Sequence, residues 1–353
     1  MDERRIKRKY EHLQYALQTE RGPLSSGWED LHFVHQALLK DNLNGVDTSV
    51  SLFHKKLNLP IIINAMTGGA KNLEKVNRVF AEIACEYGLG MAVGSQTAAL
   101  NNKAYLSSYQ VVRDVNPAGL IFANVSAGVK PEMAQAAVEM IEADALQLHL
   151  NGVQELVMKE GDRQFSNWTK NIAEICQLVS VPVIAKEVGN GISWEIAEKL
   201  SQLGVKGLDT GGSGGTNFAS IELARYQREN LNFLRSWGIP SAVSLLEVCS
   251  LDLELVIIAS GGITNSLEVM KALAVGADVV GIAGFFLQKL INEGEEALRK
   301  TIHNFSEELK TIMLLTGTQN LAEIKKTPLM ITGFVREWCE QRNLNLKKLR
   351  LKK

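Results

Sequence analysis

The sequence predicts an α/β protein, a closed (β/α)8 TIM barrel with an N-terminal extension and a C-terminal helical segment. Three observations carry this. Eight short apolar runs recur along the 353 residues, most of them about 25–35 residues apart, as one strand–helix unit requires. Each run is apolar throughout rather than alternating, the pattern of a parallel strand covered on both faces. The last two runs end in glycine turns, Ser260-Gly261-Gly262-Ile263 and Ile282-Ala283-Gly284. Glycine turns on consecutive strand ends expose backbone N–H groups to one point, the phosphate cradle that follows the last two strands of such a barrel.

The runs lie at 61–64, 91–93, 120–124, 145–149, 181–186, 207–209, 256–259 and 279–282. Eight units favour a closed barrel over an open sheet, because closure leaves no strand at an edge. A helix is expected at 266–275, between the two glycine turns. Residues 1–58 precede the first run as an arm, with a charged helical pattern over 4–18 and a polar turn from Gly22 to Gly27. Residues 59–353 form the barrel and its C-terminal helices, with 316–333 read as a turn and helices packed beside it, so the whole is one structural domain. Between the sixth and seventh runs lies Gly211-Gly212-Ser213-Gly214-Gly215-Thr216. A loop so rich in glycine at a strand's C-terminal end is either mobile or lies against a ligand.

Composition narrows the class. Hydrophobic residues make up 46% and charged ones 22%, with a formal net charge of −1. No global field draws the chain to nucleic acid or an acidic membrane, and the basic tail from Lys347 to Lys353 reads as a solvated end. Cys85, Cys176, Cys249 and Cys339 show neither C-x-x-C nor zinc spacing. They sit among helical apolar residues and are expected to be buried thiols in a reducing compartment. The opening residues are charged with no apolar core behind them, and no apolar run reaches the roughly 18 residues of a membrane span. A cytoplasmic protein is expected.

In a barrel, function collects at the strand ends. Here those ends carry Met66, Thr67 and Gly68, then Ser95, Asn124, His149 with Asn151, Gln154 and Glu155, then Lys186, and finally the glycine turns. Neutral hydrogen-bonding groups dominate, and no Ser-His-Asp order or reactive-cysteine motif stands out. Such groups suit the rim of a flat heterocycle. Thr67, Ser95 and Asn124 are placed to bond that rim, and Met66 to pack on its face. Lys186 suits negative charge on a reduced ring, and the glycine turns suit a phosphate tail. Flavin mononucleotide (FMN) meets all three requirements. Each group also has a plainer reading: a tight turn at 66–69, a Lys186 ion pair with Glu187 or a helix carboxylate, a core His149, and a helix-start Glu155.

The chain resembles the type 2, FMN-dependent isopentenyl-diphosphate isomerases. The resemblance rests on Arg8-Lys9-Tyr10-Glu11-His12, Asn64 to Gly69, Gly94-Ser95-Gln96, His149-Leu150-Asn151 with Gln154-Glu155, Lys186 to Gly189, Gly214-Gly215-Thr216 and Ser260 to Ile263. It runs from about Arg5 to Gly333, with a looser match at Gly212-Ser213 and Thr97. The resemblance implies a redox-neutral interconversion of isopentenyl and dimethylallyl diphosphate that needs reduced FMN, Mg²⁺ and NADPH as reductant. It implies that Met66, Thr67, Gly68, Ser95, Asn124, Lys186 and Thr216 contact the flavin, and that Gly261, Gly262, Ile263, Ala283 and Gly284 hold its phosphate. It places Arg8 and Lys9 on the substrate diphosphate, His12 and Gln154 on the substrate, and Glu155 on Mg²⁺. It also implies a homo-oligomer, a tetramer or octamer.

An Arg-Lys pair suits a diphosphate, and one carboxylate with phosphate oxygens and waters suits Mg²⁺. Gln and Asn are poor acids and bases, so His149, Asn151 and Gln154 are expected to position the substrate while N5 of the reduced flavin moves the proton. Three other classes remain open: an FMN barrel oxidoreductase of the 2-hydroxyacid oxidase or glutamate synthase type, a nucleotide dehydrogenase barrel, and a non-catalytic flavin- or phosphate-binding protein. The dehydrogenase class needs a mouth-loop cysteine, and none of the four lies at a strand end.

Overall fold

The computed structural model describes residues 11, 12, 14, 15, 17, 22–39, 42–70 and 72–345. Its centre is a closed barrel of eight parallel strands. These are β1 (Ile61–Ile63), β2 (Gly90–Ala92), β3 (Ile121–Ser126), β4 (Ala145–Leu150), β5 (Val183–Glu187), β6 (Gly207–Asp209), β7 (Val256–Ser260) and β8 (Val279–Ile282). Each strand pairs with its neighbours in sequence, and β8 closes on β1 through Val280↔Ile61 and Ile282↔Ile63. All eight apolar runs are strands, with bounds within two residues of those expected.

Alternation along the strands builds two layers inside the barrel. Ile62, Ala92, Phe122, Ala145, Ile184, Ile258 and Val279 form one apolar cluster with Leu52 and Leu57. A short antiparallel hairpin, Val50–Leu52 with Lys55–Leu57, supplies those two leucines. Phe53 at its turn meets Phe122 edge-on, ring centroids 6.2 Å apart, so the hairpin stoppers this end. Two residues further along each strand the same inward face carries Asn64, Asn124, Gln147, Lys186, Asp209 and Ser260. The apolar floor and the polar mouth are thus consecutive layers of one pattern.

Outside, a larger core joins the outward strand residues to the surrounding helices. The helix Ser266–Val275 has the bounds expected, capped by Asn265, whose side chain accepts from Glu268 N–H. The C-terminal part departs from the expected turn and helices. Leu329–Ile331 is a strand that pairs antiparallel with Leu31–Phe33 from the N-terminal extension. Leu329 and Ile331 are buried while Met330 faces out, a period of two too short to register in a three-residue run. The cysteines need a correction as well: all four are free, but only Cys339 is buried and Cys85 is exposed, on the outer face of Leu73–Tyr87. Among the described residues no helix is long and apolar enough to cross a membrane.

Candidate active site

Two adjoining cavities open at the C-terminal ends of the strands. The first is floored by Lys186 and Glu187 and walled by the glycine turns of β6, β7 and β8, with Thr216 and Phe285. The second is walled by Ser95, Asn124, His149, Asn151, Gln154, Glu155 and His12. Ala65, Met66, Lys186, Val188 and Phe218 line both, so one elongated ligand can occupy the two together.

The first cavity is a cradle of close backbone contacts. A Cβ at Gly215 would stand 2.5 Å from Gly262 N, one at Gly284 2.5 Å from Thr216 Oγ1, and one at Gly262 2.7 Å from Gly214 O. Three turns converge so tightly that side chains are excluded, and Gly261 and Gly262 have φ of +107° and +69°. The loop 211–216 is tied down on the cavity wall: Gly189 N–H donates to Gly211 O at 2.7 Å and Ser213 N–H to Ile239 O at 2.9 Å. The loop thus forms part of the cavity wall. Behind the cradle, the buried indole of Trp28 donates to Gly261 O at 3.2 Å, and Lys271 donates to Trp28 O at 2.8 Å. The polar turn of the N-terminal extension is therefore part of the site's support. This small, backbone-lined concavity at a helix start (Gly284–Glu293) fits a phosphate monoester.

Lys186 forms an ion pair with neither of the carboxylates considered from sequence. Its Nζ lies 3.0 Å from Asp209 Oδ2 on the next strand and donates to the backbone of Glu187 at 3.3 Å. Asp209 is fully buried and also accepts from Asn64 at 2.7 Å and from the Ser260 hydroxyl. Glu187 accepts from the N–H groups of Asn190, at 2.5 Å, and Gly191, at 3.0 Å. Burial pushes its carboxyl up to about 8, against the pull of those donors and of Lys186.

Around the second cavity, Gln154 Nε2 donates to Glu222 Oε1 at 2.9 Å, and His12 Nε2 lies 2.6 Å from the same oxygen. Burial of Glu222 raises its carboxyl, but hydrogen bonds from His12 and Gln154 and the charge of Arg225 outweigh it and hold the group below its ordinary value. Asn151 Nδ2 donates to Glu155 Oε1 at 2.9 Å, and Asp162 N–H to Glu155 Oε2 at 2.8 Å. Asn151 Oδ1 is buried with no hydrogen-bond partner. A buried acceptor left open beside a carboxylate suits a cation or a cation's water. Among the described residues no three His, Cys, Asp or Glu side chains converge on a metal position, so a cation here would need oxygens from its ligand.

Met66, Ser95, Asn124, His149, Asn151, Gln154, Glu155, Lys186, Thr216 and the residues of the two last turns all line one cavity or both. Thr67 and Gly68 stand behind Met66. The Thr67 hydroxyl donates to Asn77 Oδ1 at 2.5 Å, and the Tyr109 ring packs on Gly68. The rim contact expected of the Thr67 hydroxyl is thus taken by Asn77, a partner ten residues away that no local pattern reveals. His12 is brought to the mouth, whereas Arg8 and Lys9 lie outside the described residues. Sequence reasoning missed Asp209, Gln147 and Glu222. The first two are legible as inward positions of β6 and β4, and Glu222 as the acid three residues before Arg225 on Phe218–Tyr226.

The sequence matches the FMN-dependent dehydrogenase family over residues 113–331. Among solved structures, a mandelate oxidase variant carrying a monooxide FMN adduct superposes with a TM-score of 0.66 at 13% identity, covering 90% of this chain and 95% of that one. A flavocytochrome b2 double variant with sulfite bound gives 0.66 at 16%, covering 89% and 81%. At these identities the likeness is one of fold. Curated relatives are nearer. The isopentenyl-diphosphate delta-isomerase of Moorella thermoacetica is 47% identical over 96% of this chain and 97% of its own length. That of Bacillus licheniformis is 44% identical over 97% of each. With the barrel, the double cavity and near-full-length identity in agreement, the chain belongs to the isopentenyl-diphosphate delta-isomerase family.

Proposed function

We propose that this protein interconverts isopentenyl and dimethylallyl diphosphate, with reduced FMN in the first cavity and the substrate in the second. The observation that carries this reading is the shared wall of Met66, Lys186 and Val188 between a backbone phosphate cradle and a cavity lined by neutral amides. Such a wall would bring a flat ring, anchored by its phosphate, next to a second ligand. Reduced FMN, kept reduced by NADPH, would supply at N5 a site that carries a proton between substrate carbons.

The chain's own residues then divide the remaining work. Gly261, Gly262, Ile263, Ala283 and Gly284 hold the phosphate through main-chain N–H groups, with Thr216 beside them. Lys186 would supply positive charge beside the ring, and Met66 would pack against it. His12, with Arg8 and Lys9, takes the diphosphate. Glu155, beside the open Asn151 carbonyl, would hold Mg²⁺, which would supply charge to neutralise the diphosphate. Gln154, fixed by Glu222, holds the hydrocarbon end in register, and His149 and Asn151 complete the wall. Glu222 and His12 offer the second cavity a proton connection that the neutral amides alone lack.

An anaerobic assay tests the reading: isopentenyl diphosphate, Mg²⁺, FMN and NADPH, with dimethylallyl diphosphate and NADPH followed together. Many product molecules per NADPH consumed is the expected result. Steady NADPH loss on adding an electron acceptor, without product, would instead indicate a flavin oxidoreductase of the kind its fold relatives represent.

A further inference from the structure

The polar layer of the barrel mouth is a chain of side chains with one direction. His149 Nδ1 lies 2.9 Å from Asn124 Oδ1. Asn124 Nδ2 donates to Gln147 Oε1 at 3.2 Å, Gln147 Nε2 to Asn64 Oδ1 at 3.0 Å, and Asn64 Nδ2 to Asp209 Oδ2 at 2.7 Å. Asn64, Asn124, Gln147 and Asp209 are each at most 4% exposed, so water does not compete for these groups.

The direction is fixed at its far end, independently of any choice about the amides. The Ala65 N–H, which can only donate, points at one end of the Asn64 amide at 2.9 Å and identifies that end as oxygen. The other end faces Asp209, which already takes the Lys186 ammonium at 3.0 Å and therefore acts as an acceptor. With Asn64 set, Gln147 has to donate to it and to accept from Asn124. Asn124 then presents only its oxygen to His149. A carbonyl oxygen accepts and never donates, so the imidazole nitrogen facing it bears hydrogen.

We infer that Asp209, Asn64, Gln147 and Asn124 form a one-way relay that holds His149 with its proton on Nδ1, so that only Nε2 gains or loses a proton in the substrate cavity. Asn64, Gln147 and Asn124 are positioning residues: they act through His149. Without the relay, the Asn124 amide could turn over, its donor would then face the imidazole, and hydrogen would leave Nδ1. The inference deepens the proposed isomerase reading, which supplies a substrate for the cavity that His149 lines, but the tautomer itself is a property of the protein alone.

The test uses the full-length, FMN-loaded protein with ¹⁵N-labelled histidine, at about pH 8.5, where an ordinary imidazole is neutral. Two-bond ¹⁵N–¹H spectra of the six histidines, with His149 assigned by its loss in His149→Gln, report which nitrogen bears hydrogen. Hydrogen on Nδ1 alone is expected, and hydrogen on Nε2 or a mixture in the unaltered protein overturns the proposal. Gln147→Met, of similar length but with a thioether that cannot donate to Asn64 and accepts only weakly from Asn124, is expected to give a mixture and to lower kcat at least about tenfold while KM stays nearly constant. Gln147→Glu still accepts from Asn124 and is expected to restore the single Nδ1–H form. A pure Nδ1–H spectrum in Gln147→Met would show that the relay does not select the tautomer. Because the spectra need no turnover, loss of the isomerase reading would leave this result standing, and the reverse holds too.

Discussion

Lys186 and Asp209 are register partners on adjacent strands, and their side chains meet inside the barrel with Nζ 3.0 Å from Oδ2. One charge of this pair faces both cavities and the other anchors the polar layer beneath them. The pair is a member of the core and of the site at once, and stability and function are joined there.

Removing one partner of a buried pair leaves the other charge uncompensated, a loss of roughly 3–5 kcal/mol. Lys186→Met is expected to show a loss of that order in urea unfolding of the FMN-free protein, together with weakened isomerase activity. Asp209 keeps donors from Asn64 and Ser260, which places the effect toward the lower end. The double variant Lys186→Met with Asp209→Asn is expected to recover part of the stability and none of the activity. A loss in the double variant equal to the sum of the losses in Lys186→Met and Asp209→Asn alone would show that the two charges do not interact.

The cradle depends on glycine for reach more than for flexibility. Gly262 has φ +69°, and a Cβ there would press within 2.7 Å of Gly214 O. Gly262→Ala combines the left-handed cost of about 1–2 kcal/mol with narrowing of the phosphate seat. FMN affinity, read by flavin fluorescence titration, is expected to fall at least about tenfold with the circular dichroism unchanged. Gly294 is the control: its φ is +92°, with nothing within 4 Å of a Cβ. Gly294→Ala is expected to cost similar stability and to leave FMN affinity intact.

Glu187 gives stability a pH slope. Its folded-state carboxyl, pushed up to about 8 by burial, binds a proton that the unfolded chain releases near its ordinary 4.5. The folded state therefore holds the extra proton between those values, and the stability tied to it is complete below about 4.5 and lost as pH rises through about 8. The melting temperature of the unaltered protein is expected to decline as pH rises from about 4.5 to about 8 and to level off above that, the window set by the shift. Glu187→Gln still accepts from the Asn190 and Gly191 N–H groups and is expected to flatten the slope. A slope of the same size in the variant would assign it to other groups.

Much of this molecule was legible in its sequence because parallel strands buried on both faces are written as plain apolar runs. The strands β7 and β8 and the helix between them are recognisable from glycine and periodicity alone. Three-residue elements were not: Leu329–Ile331 owes its strand form to pairing with Leu31–Phe33, about 300 residues away, which no local pattern encodes. The lining residues could be named because they sit at strand ends, but their partners could not. Lys186 was seen and Asp209 was passed over, since which carboxylate meets an ammonium depends on register across strands. The same holds for Thr67, whose hydroxyl turns away to Asn77. Gln147 was hidden inside an apolar run, where a single amide reads as an exception, although inward alternation places it in line with Asn64 and Asn124.

Gln154 is where positioning and proton supply are expected to separate. Its Nε2 donates to Glu222 Oε1 at 2.9 Å, and Glu222 is itself fully buried between His12 and Arg225. Gln154→Ala removes the amide that reaches the cavity while leaving Glu222 paired on its other sides. Glu222→Gln keeps the shape and removes the charge that His12 and Arg225 face. Both are expected to lower kcat by about 10²-fold or more, the usual scale for a positioned proton-transfer group. They should differ in stability: Glu222→Gln takes from the buried Arg225 guanidinium one of its carboxylates, leaving it Glu11 at 2.8 Å, and lowers the melting temperature, and Gln154→Ala does so much less. Solvent isotope exchange into recovered isopentenyl diphosphate then assigns the roles. If Glu222 connects the cavity to bulk protons, Glu222→Gln slows exchange in step with isomerisation, whereas Gln154→Ala, which disturbs only register, keeps exchange while losing product. Identical exchange in the two variants would reduce Glu222 to a support for Gln154.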